Sequence, residues 1–174
     1  MQRAVRWIDT GAGAPRWNMA VDAALLRRAD EAAVLRFYRW SPAAVSIGRF
    51  QDLARTPLPP WLAGQPVVRR LTGGGAIWHR DDLTFSIAAA PRWFVPPGAR
   101  VRPRAAAEAV LAAVACGLGA FGIEVELRCR RMERDVATAL CFERRGGVVL
   151  ECGGRRLLGC AQRCTRQRWL LHAT

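Results

Sequence analysis

No lysine occurs in the 174 residues, so all 27 basic side chains are arginine. Histidine is nearly as scarce, with only His79 and His172. Six cysteines are present, Cys116, Cys129, Cys141, Cys152, Cys160 and Cys164, and none forms a Cys-x-x-Cys pair. That combination does not supply zinc-ligand spacing, and no metal is expected. The amino terminus, Met1 to Asp9, lacks the apolar h-region of a secretory signal. No apolar run reads as long enough to span a bilayer. The expectation is a cytoplasmic protein with no membrane partner. Most of its cysteines are then expected to be small buried hydrophobes rather than a disulfide framework. No Gly-Lys-Ser/Thr follows the glycine-rich stretch, which excludes a P-loop, and the spacing is not the Rossmann pattern.

Acidic residues are also few, 14 against 27, for a net charge of +13. A positive field steers acidic partners to a surface. The arginines are spread along the chain, without a helix-turn-helix, zinc-finger or RNA-recognition signature. Acidic proteins therefore rank above nucleic acid as partners, and biased codon usage explains the lysine-to-arginine drift without any function. The length suggests one domain, 1–174, and 51% hydrophobic residues provide for a substantial core.

The chain is organised around Arg69-Arg70-Leu71-Thr72-Gly73-Gly74-Gly75-Ala76-Ile77-Trp78-His79. Pro66-Val67-Val68 reads as a strand entering a turn, and the alternation from Leu83 to Ile87 as a strand leaving it. Three glycines let the backbone approach a ligand with no Cβ in the way. The flanking Arg69, Arg70 and His79 suit a negative or strongly polar ligand. The implied geometry is strand, glycine turn, strand.

Elsewhere, Val5 to Asp9 reads as a short strand. Asn18 is a plausible N-cap for a helix through Arg28. Val34 to Trp40 and Ala44 to Gln51 read as a hairpin about Ser41-Pro42-Ala43. Pro57, Pro59 and Pro60 argue against a long helix between Leu53 and Gly64. Pro91 to Pro103 reads as a loop. The alanine-rich run from Arg104 to Leu118 is the clearest helix. Strands are expected at Ile123 to Leu127, Val148 to Glu151, Leu157 to Gln162 and Trp169 to His172, with Gly153-Gly154 as a two-residue hairpin turn.

The glycine motif with His79 and Leu83-Thr84-Phe85-Ser86 resembles the acyl-binding motif of the lipoate–protein ligase and octanoyltransferase family, which shares its catalytic fold with biotin protein ligases. Asn18-Met19-Ala20, the Arg36-Phe37-Tyr38 strand and Ser46 to Gln51 are similar to further family segments. The resemblance covers about Trp7 to His172. It implies an α+β fold, a mixed and mostly antiparallel sheet packed with helices, like class II aminoacyl-tRNA synthetases. It also implies an acyl site in which Arg70, Gly73, Gly74, Gly75 and His79 hold an octanoyl or lipoyl chain, with Ser46, Gly48 and Gln51 near it. Asp135 matches a nucleotide- and metal-binding aspartate of the ligases over a short span.

Cys141-Phe142 stands ahead of Gly154-Arg155-Arg156-Leu157-Leu158-Gly159-Cys160-Ala161-Gln162. That arrangement resembles the cysteine-dependent octanoyltransferase branch, in which the cysteine takes the acyl group as a thioester. The resemblance implies octanoyl transfer from acyl carrier protein through Cys141 to a lysine of a lipoyl-domain or glycine-cleavage H-type protein, with no cofactor. Arg156 stands where the family has lysine, and the resemblance gives it the acyl carbonyl to polarise. Guanidinium keeps the charge but is larger, planar and never deprotonated in practice. His172 would be a second pocket histidine, near a chain end where fraying is expected, since the family's C-terminal part has no counterpart here. Three alternatives stay open: one more packing thiol at Cys141, an ATP-dependent ligase, or a catalytically impaired acyl-binding homologue.

Overall fold

A computed structural model describes residues 4–28, 32–94, 102–131, 138–143 and 146–174. Strand β1 (Val5–Gly13) leads into helix α1 (Pro15–Arg27), then β2 (Ala33–Trp40) and β3 (Ala44–Ile47). Short strands β4 (Val67–Arg69) and β5 (Ile77–His79) bracket the glycine stretch, and β6 (Thr84–Ala89) follows. Helix α2 (Pro103–Ala120) precedes β7 (Glu126–Arg130), β8 (Gly147–Cys152), β9 (Arg155–Cys164) and β10 (Trp169–Ala173). The large sheet has seven strands in the order β1-β2-β6-β10-β9-β8-β7, and the small one has the order β4-β3-β5. Among the described strands, β1 with β2 and β3 with β4 pair in parallel and the other neighbours antiparallel.

Period-two alternation gives the large sheet two distinct faces. Leu35, Phe37, Phe85, Ile87, Trp169 and Leu171 join one apolar cluster with Ala106 and Ala107 of α2. Val34, Ala88 and Leu170 face the other way, against Leu25 and Leu26 of α1. On that second face the register runs Arg36, Ser86, His172, Ala161 across four strands. Helix α1 answers this polar row with Asp22. Its Oδ1 accepts from Arg36 Nη1 at 2.9 Å and Ser86 Oγ at 2.8 Å, and Oδ2 accepts from the Tyr38 hydroxyl at 3.0 Å.

The structure corrects several expectations. Helix α1 begins at Pro15, whose missing N–H is no loss in a first turn. Asn18 is therefore inside the helix. It is fully buried, donating to Gly13 O and Arg39 O and accepting from Arg36. Strands β2 and β3 form no hairpin. Both edges of β2 are taken by β1 and β6, so β3 finds its partners in the small sheet. The glycine stretch is not a hairpin either, for β4 and β5 lie on opposite edges of β3 and the stretch crosses over its end. Strand β7 starts at Glu126, three residues later than the alternation suggests.

The cysteines are not buried hydrophobes. Cys116, Cys152 and Cys164 are exposed, and Cys129, Cys141 and Cys160 half-buried. Nor does the end of the chain fray. His172 sits in β10, a central strand whose five residues are all buried. Asp135 lies outside the described residues. Helix α2 has 18 residues and is long and apolar enough, by length and composition, to cross a bilayer, contrary to the reading of the sequence. Here it packs on β7, β8 and β9. An open apolar groove of about 850 Å³ runs beside it, lined by Phe37, Phe85, Ile87, Phe94 and Val110.

Other features match their sequence reading. The proline-rich connection holds only the short 3-10 turn Pro60–Leu62. Gly153 and Gly154 join β8 to β9 with φ of 55° and 74°, as a primed turn requires.

Asp22→Ala leaves Arg36 as a buried charge without its carboxylate. The expected loss of stability is about 3–5 kcal/mol, read as a lower urea midpoint with an unchanged m-value.

Candidate active site

The site forms where the small sheet meets the polar row of the large one. After β4 the chain stays on β3 for one more hydrogen bond, from Arg70 N to Ile47 O at 2.8 Å. The Arg70 side chain then turns under the glycine stretch. Its Nη1 donates to Ser46 O at 2.6 Å and Ser46 Oγ at 2.8 Å, and Nη2 to Gly73 O at 3.0 Å and Gly75 O at 2.8 Å. The guanidinium thus clamps the loop's own carbonyls, where the sequence reading had it hold a chain.

Two glycines are fixed by close approach. Gly74 has φ of 93°, and its carbonyl oxygen would lie 1.9 Å from any Cβ placed on Gly48. A Cβ on Gly75 would stand 3.0 Å from Cys141 N and 3.1 Å from Cys141 Cα. Gly73 has nothing within 4 Å of a Cβ position and needs no glycine for packing. The next residue completes the link to Cys141. Ala76 N donates to Ala139 O and Cys141 N to Ala76 O, both at 2.7 Å. The glycine stretch therefore carries Cys141 on its backbone, although 65 residues separate Ala76 from Cys141 in sequence.

Cys141 lies in the shared wall of two cavities. The inner one, about 30 Å³, is lined by Arg70, Gly74, His79, Cys141 and His172, with Trp40 beside them. The outer one, about 510 Å³, is lined by Gly73, Gly74, Cys141 and Arg156, with Arg104, Arg130 and Arg131 among its other walls. Arg156 Nη1 donates to Cys141 O at 2.8 Å and Nη2 to Gly146 O at 3.0 Å, bracing the backbone around the thiol. Cys160 lines both cavities, and burial pushes its thiol up to about 12, with Cys141 adding to the effect.

Both histidines come to this place. His79 Nδ1 is 2.7 Å from Asp82 Oδ2, its Nε2 is 2.6 Å from Ser46 Oγ, and its ring stacks on Trp40 at 3.9 Å. Ser46, His79 and Asp82 thus have the spacing of a nucleophilic triad. Ser46 is fully buried, however, and its Oγ already accepts from Arg70. The chain of donors runs Arg70 to Ser46 to His79 to Asp82 and orients the clamp. His172 Nε2 is 2.7 Å from Thr72 Oγ1. Its Nδ1 is 3.7 Å from Asp22 Oδ2, an electrostatic neighbour beyond hydrogen-bond length.

Burial lowers the pKa of both histidines against the opposing pull of Asp82 and Asp22. Burial acts to raise Asp22 and Asp82, but His172, Arg36 and Ser86 together around Asp22, and His79 with Thr174 beside Asp82, outweigh it and hold both below the usual carboxylate range. Asp22, Thr72 and Asp82 were not singled out in the sequence, though Asp82 follows His79 by three positions. Gln51 reaches the thiol's neighbour, donating to Ala139 O at 3.1 Å.

The family model for the lipoyl protein ligase A/B catalytic domain matches residues 14–174, and the chain belongs to that family. It is 38% identical over 164 residues to octanoyltransferase LipM of Moorella thermoacetica, covering 90% of this chain and 59% of that protein. With LipM of Symbiobacterium thermophilum it shares 35% over 167 residues, again 90% of this chain and 59% of that protein. The chain thus spans roughly three fifths of the length of the curated relatives it matches. Among solved structures, a lipoate-protein ligase A bound with ATP aligns with a TM-score of 0.70 at 24% identity, covering 99% of this chain and 66% of that one. A bi-partite lipoate protein ligase from Thermoplasma acidophilum, solved with its E2 lipoyl domain, aligns with a TM-score of 0.70 at 23% identity, covering 99% and 61%. At that identity the likeness shows the fold, which is the mixed, mostly antiparallel fold expected.

Gly48→Ala forces the crossing apart and is expected to cost at least about 2 kcal/mol, measured by thermal unfolding. A pH dependence follows from the histidines. Both are neutral in the folded state at pH values where the unfolded chain, with a histidine pKa of about 6.5, already binds protons. Stability therefore falls as pH drops below about 6.5, by up to about 1.4 kcal/mol per pH unit for each histidine. Below about pH 4 the protonation of Asp22 and Asp82 adds to the loss. Urea midpoints at pH 7, 6 and 5 check the slope, which flattens in His79→Gln.

Proposed function

We propose that the chain is an octanoyltransferase domain of protein lipoylation, moving an octanoyl or lipoyl group through a thioester on Cys141. The observation that carries the reading is the backbone tether of Cys141 to Ala76, which sets the thiol beside the glycine stretch and at the junction of two cavities. The curated octanoyltransferases it resembles support the same reaction class.

The Cys141 thiolate attacks the carbonyl of an acyl thioester. A new C–S bond forms, the donor's C–S bond breaks, and the donor leaves as a thiolate that takes a proton from water. The deprotonated lysine amine of a lipoyl-domain or H-type protein then attacks the Cys141 thioester. A C–N bond forms, the C–S bond breaks, the amine nitrogen gives up one proton to water, and Cys141 is again a thiolate. Acyl carrier protein is the donor in this reading, and the cytoplasm its compartment.

The outer cavity holds the acyl group and admits the donor past Arg104, Arg130 and Arg131. Gly73 and Gly74 form its floor, and His79 and His172 the polar end of the inner cavity. Arg156 serves by bracing the peptide at Cys141 more than by touching the carbonyl, since both terminal nitrogens already donate to backbone oxygens.

The test is incubation with octanoyl-carrier protein and no ATP. Mass analysis is expected to show an octanoyl adduct on Cys141 that hydroxylamine removes and that a lipoyl-domain acceptor discharges. Cys141→Ala is expected to lower transfer by at least ~10³-fold, while Cys116→Ser, on the exposed side of α2, leaves it unchanged. Transfer that requires ATP and survives Cys141→Ala would replace this reading with that of a ligase. Octanoate binding with no transfer under either condition would leave a binding module.

A further inference from the structure

Two arginines are almost wholly buried near the site, and their circumstances differ. Arg36 pairs with Asp22 at 2.9 Å. Arg70 is 3% exposed, and its terminal nitrogens donate to Ser46 O, Ser46 Oγ, Gly73 O and Gly75 O, all neutral acceptors. Its Nε is buried without a partner. The carboxylates on the elements around the site are engaged elsewhere, buried Asp22 by Arg36 and half-buried Asp82 by His79. Among the described residues Arg70 has no carboxylate partner. A buried charge without a counter-charge is costly, so the site is incomplete as it stands.

Two groups that can become anions act on Arg70 electrostatically, Cys141 and Tyr38. Tyr38 does not qualify. Burial, the Asp22 charge and the hydrogen bond to Asp22 raise its phenol well above 10. Cys141 qualifies by geometry. Arg70 Nη2 holds Gly75 O at 2.8 Å, Gly75 abuts the Cys141 backbone, and Arg70 and Cys141 both line the inner cavity of about 30 Å³. Burial lowers Arg70 only to about 10, so it remains a cation at neutral pH.

We propose that Arg70 is the fixed counter-charge for the negative charge that Cys141 carries in acyl transfer, first as thiolate and then through the tetrahedral oxyanion. The clamp on the loop and the charge beside the thiol are one device. Four hydrogen bonds hold the guanidinium still, so no reorganisation is needed as the anion forms. When Cys141 is acylated the anion is lost and Arg70 again stands uncompensated, which favours return of the thiolate and discharge of the acyl group. Arg70 is therefore a positioning residue acting through Cys141. The step it serves rests on the acyl-transfer reading, but its charge relation to the thiol does not.

The test needs no acyl donor. Iodoacetamide alkylation at pH 7 is followed peptide by peptide, with exposed Cys116 and Cys152 as internal standards. Arg70→Gln is expected to slow Cys141 by at least about tenfold relative to those standards. Arg70→Lys, which keeps the charge and loses the fork of hydrogen bonds, is expected to stay within about threefold of the unaltered protein. An unchanged ratio in Arg70→Gln, or an equal fall in Arg70→Lys, overturns the proposal. A second measurement leaves Arg70 untouched. Cys141→Asp places a permanent anion beside it and is expected to melt at a higher temperature than Cys141→Asn at pH 7, and the reverse order overturns the proposal. Failure of octanoyl transfer in the unaltered protein, with both results as expected, would remove the acyl-transfer reading and leave the charge pair standing.

Discussion

The carboxylate of Asp22 is the group on which the site's construction depends. It sits on α1 and gathers Arg36 and Tyr38 from β2 and Ser86 from β6, with His172 of β10 close by. Three strands and a helix are thereby held in one register on a face that buries four polar side chains. A helix that slid by one residue would aim Asp22 away from all of them. The apolar packing of α1 permits several placements, and the polar row admits one.

From that anchor the rest of the geometry follows outward. His172 reaches Thr72, and so the large sheet grips the glycine stretch from below. His79, held by Asp82 and stacked on Trp40, steadies Ser46, and Ser46 steadies Arg70. Arg70 holds the carbonyls of Gly73 and Gly75, and Ala76 holds Cys141. The thiol is thus placed by a relay of side chains that begins on the polar face of the large sheet.

Much of this was legible in the residues and some was not. The glycine motif, Cys141 and the two histidines stood out because rare residue types in a tight pattern resemble one family. Strand alternation and the alanine-rich run placed most elements to within a few residues. Pairing was not legible. The strands flanking Ser41-Pro42 look like a hairpin locally, but β2 has β1 and β6 as better partners from distant sequence. Asp22 looks like an ordinary helix residue and Asn18 like an N-cap, because their partners lie on β2, β6 and β10 and periodicity carries no information about those contacts. Arg70 was read as facing a ligand, since an arginine beside glycines usually suggests one. Only coordinates show that its donors close on the loop itself.

The crossing of the glycine stretch over the end of β3 has a consequence for traffic. A stretch whose carbonyls are clamped from within, and whose neighbour is pinned to the thiol's own backbone, is a pier and not a drawbridge. In the acyl-transfer reading proposed above, the way to Cys141 is the outer, arginine-lined cavity, and donor and acceptor use it in turn.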